Sequence, residues 1–154
     1  GSLHLVQRHG GTATLVERNA RALAFSRRLW RDAGLLDRVR YEACDLFRFT
    51  SAEPFDLVHS GGLIEHFHGD ERREVIEAHA RHVAPGGRIL ISVPVMTLRY
   101  RLFRAIAQSI GKWIYTDELP YEHGEVDAVF REFGFRVTRA TAISKEVGYL
   151  LERG

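Results

Sequence analysis

One stretch, residues 55–95, constrains the fold more than any other: FDLVHSGGLIEHFHGDERREVIEAHARHVAPGGRILISVPV. It opens with a short apolar strand over 55–59 that stops at Ser60-Gly61-Gly62. A helix follows from Gly69-Asp70, where Asp70 can accept from free backbone N–H groups and a carboxylate suits the positive end of the helix. Ile76, Ala80 and Val83 fall at helical spacing, leaving Arg72, Arg73, Glu77 and Arg81 for solvent. Pro85-Gly86-Gly87 ends the helix and turns the chain. Residues 89–93 are then nearly all apolar, as in a strand covered on both faces. Strand, loop, helix, turn and buried strand make a βαβ unit, expected to cross over right-handedly.

The flanks repeat the alternation. Residues 2–9 read as a helix closed by Gly10-Gly11, and 13–16 as a strand ending at Glu17. A helix over 19–32 is expected to turn Ala22, Phe25 and Leu29 inward before Gly34. Residues 39–43 alternate like a half-exposed edge strand, with Cys44-Asp45-Leu46 at its tip. Val126, Val129, Phe130 and Phe133 sit at i, i+3, i+4 and i+7, an amphipathic helix stopped by Gly134. Residues 136–143 and 148–152 then form a hairpin. The fold class expected is α/β: a doubly wound, mostly parallel sheet with helices on both faces and a C-terminal antiparallel hairpin.

With 154 residues, 45% hydrophobic and 27% charged, the chain has enough apolar surface for one core and reads as a single domain over 1–154. A formal net charge of +2 argues against nucleic acid or an acidic membrane as partner. No apolar run reaches the roughly 18 residues of a membrane span. A single cysteine excludes an internal disulfide framework and fits a reducing cytoplasm.

Asp56-Leu57-Val58, Leu63-Ile64-Glu65-His66 and Pro85-Gly86-Gly87, in this order and within one βαβ unit, resemble the second half of the Rossmann-like (class I) S-adenosylmethionine-dependent methyltransferases, small-molecule branch. The resemblance extends over nearly the whole chain with one gap. The family's first strand carries a Gly-rich loop, E/D-x-G-x-G-x-G, and this sequence lacks it, beginning at the helix that would follow. Gly1-Ser2 reads either as a vector-derived remnant or with Gly1 as the last glycine of that loop. Since that strand lies centrally in the family's sheet, the domain is expected to be N-terminally incomplete. The missing strand would come from an upstream segment or from another molecule, which leaves a homodimer open.

The resemblance implies roles for particular residues. Glu17, at a strand's carboxyl end, would accept from ribose hydroxyls, although nicotinamide dinucleotides use the same acid. Asp45 would take the adenine amino group and Leu46 N–H a ring nitrogen, with Cys44 as filler beside the ring. Ser60 and Gly61 would face the methionine end, as would Gly1 if it closes the Gly-rich loop. His66 is the candidate base. The basic, aromatic segment within 96–122 would be a lid, with Tyr100, Trp113 and Tyr115 toward the acceptor. His66, His68, His79 and His82 lack zinc-ligand spacing, so no metal is expected. The implied function is methyl transfer from S-adenosylmethionine to an O, N or C atom of a small molecule, leaving S-adenosylhomocysteine. Two alternatives stay open, a non-catalytic interaction module and a nicotinamide-dependent oxidoreductase.

Overall fold

Two parallel strand pairs carry the architecture. A computed structural model describes residues 1–112, 119–122, 124–143 and 146–154. The chain divides into two units, Gly1–Ala52 and Glu53–Gly154, each with its own sheet.

The first unit runs α1 (Ser2–His9), β1 (Ala13–Val16), α2 (Ala20–Asp32), β2 (Val39–Glu42) and a 3₁₀ turn, Leu46–Arg48. β1 and β2 pair in parallel from Ala13↔Val39 to Val16↔Glu42. Glu17 N adds one more rung by donating to Glu42 O at 3.0 Å. Asn19 caps α2, its side chain accepting from Arg21 N and Ala22 N. The inward stripe of α2 differs from the expected one. Leu23 and Trp30 are buried, while Phe25 is 58% and Leu29 42% exposed. Leu23 and Trp30 are seven residues apart and share a face, and the indole carries more apolar area to bury than Phe25 or Leu29.

The second unit runs β3 (Phe55–Gly61), α3 (Gly69–Ala80), β4 (Val83–Pro94), α4 (Leu98–Ser109), α5 (Glu125–Arg131), β5 (Phe135–Ile143) and β6 (Glu146–Arg153). Its sheet has the order β3-β4-β6-β5, with β3 parallel to β4 and β6 antiparallel to both neighbours. The hairpin therefore does not simply add to the edge, because β6 lies between β4 and β5. Ile89, Ile91 and Val93 alternate along β4 and are wholly buried. Their register partners Leu151, Tyr149 and Val147 extend the same face across β6. α3 contributes Val75 and Ile76 to the core, and α5 contributes Val126 and Phe130.

Several local expectations change. β3 runs two residues past His59, so Ser60 and Gly61 are its last rungs rather than loop. α3 begins at Gly69 with His68 as its cap and no capping side chain, so Asp70 serves in the first turn only. Val83 belongs to β4, and Arg72 is not solvated but folded against Tyr121. Pro85-Gly86-Gly87 forms an irregularity within β4, where the register jumps from Phe55↔Val83 to Leu57↔Arg88. Glycine is required at Gly87, since a Cβ there would lie 2.9 Å from Val83 Cγ1 and 3.0 Å from the carbonyls of Asp56 and Ala84.

Candidate functional site

In the first unit the carboxyl ends of β1 and β2 bring two acids onto one edge. Glu17 follows β1 directly, and its Oε1 accepts from Asn19 N at 2.7 Å, beside the first turn of α2. Asp45 follows β2 and caps the 3₁₀ turn, with Oδ1 accepting from Phe47 N at 2.9 Å. Arg18, the residue after Glu17, reaches across to it, with Nη1 3.2 Å from Asp45 Oδ2. The guanidinium is 80% exposed, so this tie is solvated and weak. Cys44 is a free, half-buried thiol and Leu46 is half-buried beside it. Gly1 stands at the head of α1, its carbonyl accepting from His4 N and Leu5 N at 3.1 and 3.3 Å.

In the second unit the corresponding edge is the end of β3. The Cβ position of Gly61 lies 2.9 Å from Ser92 Oγ, so a side chain there would displace that hydroxyl. Gly62 takes a left-handed φ of 63°, and its N–H donates to Ser92 O at 3.0 Å. Ser60, on the face that carries Ile91, bonds His79 of α3, with Oγ 2.8 Å from Nε2. His79 is 3% exposed. Its other nitrogen, Nδ1, lies 2.6 Å from Val75 O. Burial pushes its pKa below the ordinary value, more than the Val75 bond raises it, and the nearby His82 and His59 act in the same direction as burial.

A 3₁₀ turn, Ile64–His66, follows β3. Glu65 in this turn is 1% exposed, whereas His66 is half-buried. Residues 119–122 return to this end of the sheet. Leu119 N donates to Glu65 O at 3.0 Å, Tyr121 N to Pro94 O at 3.0 Å, and Met96 N to Tyr121 O at 2.9 Å. Tyr121 thereby makes a parallel bridge to Val95 just beyond β4. Its ring is fully buried with the Arg72 guanidinium 3.7 Å above the centroid, and Arg72 Nη2 lies 3.4 Å from Glu125 Oε1. Burial raises the Tyr121 phenol pKa, and Arg72 offsets part of that rise. Tyr100, on α4, is 1% exposed. Trp113 and Tyr115 lie outside the described residues. Among the described residues no three His, Cys, Asp or Glu side chains converge as metal ligands. No helix among them is long and apolar enough to cross a membrane.

Three residues that sequence reasoning gave no role stand out: Arg72, His79 and Tyr121. His79 follows Val75 and Ile76 at the i+4 and i+3 spacings of one helix face, a signal legible in principle. Arg72 and Tyr121 meet only through the return of the chain after α4, which no local pattern announces.

A family model described as a methyltransferase domain matches residues 1–87. Among solved structures, an O-methyltransferase family protein from Burkholderia thailandensis is similar with a TM-score of 0.79 and 20% identity, covering 99% of this chain and 47% of that one. An O-methyltransferase family 2 protein from Planctomyces limnophilus gives a TM-score of 0.82 at 15% identity, covering 99% and 47%. N,N-8-amino-8-demethyl-D-riboflavin dimethyltransferase from Streptomyces davawensis gives 0.79 at 15%, covering 99% and 46%. At these identities the likeness is one of fold, and the chain spans under half the length of each of these proteins. No curated protein sequence matches the chain.

Proposed function

Because the chain belongs to the methyltransferase-domain family, we propose that its parent protein moves a methyl group from S-adenosylmethionine to a small-molecule acceptor. The observation that carries this reading is the pair of acids on one edge of β1 and β2, joined through Arg18. A carboxylate accepts only, so two of them on neighbouring strand ends suit a ligand rich in donors, such as a nucleoside. Glu17 keeps Oε2 for a ribose hydroxyl, since its bond to Asn19 uses Oε1. Asp45 receives the adenine amino group at Oδ2, where Arg18 now sits, and Leu46 N–H receives a ring nitrogen. Ser60, Gly61 and Gly1 are the candidates for the amino-acid end. Cys44 packs beside the base.

The bound cofactor supplies a methyl group already activated on a sulfonium. The chain's residues then have to hold the acceptor in line and keep water away, and orientation supplies much of the rate. His66 takes a proton from an acceptor that must lose one on attack. The fixed return of residues 119–122 onto Glu65 and Pro94 supports the segment 96–122 as the acceptor lid, with Tyr100, Trp113 and Tyr115 as its candidates. The lone cysteine supports a cytoplasmic setting.

Calorimetric titration of the full-length protein tests the reading. S-adenosylhomocysteine binds, NADH does not, and Glu17→Gln weakens the former roughly ten-fold or more, the size of a hydrogen bond to a charged group. Preference for NADH would favour the oxidoreductase, and binding of neither would favour the interaction module.

A further inference from the structure

α4 presents two apolar faces, and only one of them is used by the fold. Thr97 caps the helix, its hydroxyl accepting from Tyr100 N at 3.1 Å. Tyr100 and Ala107, seven residues apart, share the inward face and are buried. A second apolar row is open to solvent. Leu98, Leu102, Ile106 and Ile110 follow one another at i, i+4 spacing and are 84%, 62%, 53% and 59% exposed, with Phe103 beside them at 49%. At 1.5 Å of rise per residue the row is a ridge roughly 18 Å long. Single exposed leucines are ordinary on a protein surface, whereas a continuous row of them marks a contact surface.

Charge decides what the ridge meets. From Thr97 to Lys112 the sequence carries Arg99, Arg101, Arg104 and Lys112 and no acid. The whole chain is only +2, so this stretch holds more positive charge than the molecule does and the remainder is net acidic. The whole-chain value, which argued against an acidic membrane, hides this local excess. Arg101 and Lys112 are themselves exposed. A second copy seated ridge to ridge would bring the cations of both helices together, which opposes such a dimer and favours an anionic partner. Leu98, at 84% exposure, stands clear of its neighbours and suits a soft apolar phase that closes around it more than a preshaped pocket. Arginine stems lie along apolar surface while their heads reach a phosphate layer. No described helix is long and apolar enough to cross a membrane, so α4 would lie in the plane of the interface. We propose that α4 docks the protein on an anionic phospholipid surface, its ridge at the outer ends of the acyl chains and its cations among the headgroups. The proposal stands on α4 alone and does not depend on where the cofactor binds.

Flotation of the full-length protein with vesicles tests this, comparing phosphatidylcholine alone with an equimolar mixture of phosphatidylcholine and phosphatidylglycerol. Binding is expected on the mixture, little on phosphatidylcholine, and less on the mixture at high salt. Leu102→Ser and Ile106→Ser should each weaken binding to the mixture roughly ten-fold, the scale of one large apolar side chain leaving water. Arg101→Ala should weaken it roughly five-fold, the weight of one cation near an anionic leaflet. All three side chains are exposed, so the fold should survive their loss, and circular dichroism checks that it does. A protein that fails to float with the mixture, or binds both vesicles equally, overturns the inference. So does a Leu102→Ser/Ile106→Ser double variant that binds as the wild type does. Dimerisation that the double variant abolishes, without vesicle binding, would give the ridge to a second copy. Binding of an acidic amphipathic peptide without vesicle binding would give it to a protein partner. None of these results bears on the methyltransferase reading, which the cofactor titration tests separately.

Discussion

His66 and Glu65 are adjacent in sequence and opposite in environment, and that contrast separates their roles. Glu65 is enclosed at 1% exposure and its carbonyl anchors the returning chain, while His66 remains half-open to solvent at the end of the same turn. If His66 carries a proton away from the acceptor, His66→Ala should lower kcat roughly 10²- to 10⁴-fold, with cofactor affinity unchanged. Single-turnover measurements read this directly, and an unaltered rate would leave positioning alone to account for catalysis. The placement of Glu17 and Asp45 after β1 and β2 was legible because strand ends followed by an acid are conspicuous in sequence. His79 shares the helix face of Val75 and Ile76, so its burial was legible, but nothing local announces Ser60 opposite it.

At the scale of elements, glycine marked three helix ends well, although Gly61 and Gly86-Gly87 fell inside strands. Gly10, Gly34 and Gly134 each close a helical segment with a positive φ, and the sequence placed all three stops. Lateral neighbours were another matter. Residues 136–143 and 148–152 announce a hairpin, but nothing local says which of its strands meets β4, because that choice is made by distant packing. The wrong stripe chosen for α2 has a similar origin, since periodicity offered two faces and burial of Trp30 decided between them. Two substitutions probe this level. Gly87→Ala should destabilise the second unit by about 1–3 kcal/mol, the usual cost of forcing atoms into a filled site. Two of the three close contacts are backbone carbonyls that cannot swing aside. Phe130→Ala, which empties the fully buried position α5 provides, should cost about 3–5 kcal/mol. Urea midpoints read both, and a Gly87→Ala protein as stable as the wild type would mean that β4 can shift around its irregularity.

For the molecule as a whole, His79 ties stability to pH. Its pKa in the folded chain is lowered by burial, so the unfolded chain takes the proton first. The resulting stability is complete above about 6.5, the ordinary histidine value, and declines as pH falls below it. Each proton bound in excess by the unfolded state steepens that decline by about 1.4 kcal/mol per pH unit. Denaturant midpoints between pH 7.5 and 5 should therefore fall, and His79→Asn should flatten the curve. A wild-type profile that stays level would mean that the imidazole is not neutral when folded. The order β3-β4-β6-β5 carries a consequence of its own. During synthesis β5 leaves the ribosome before β6, the strand that both it and β4 pair with along that side of the sheet. Two lines of backbone N–H and C=O groups must therefore stay hydrated, or shielded by a chaperone, until that strand emerges and slides between them.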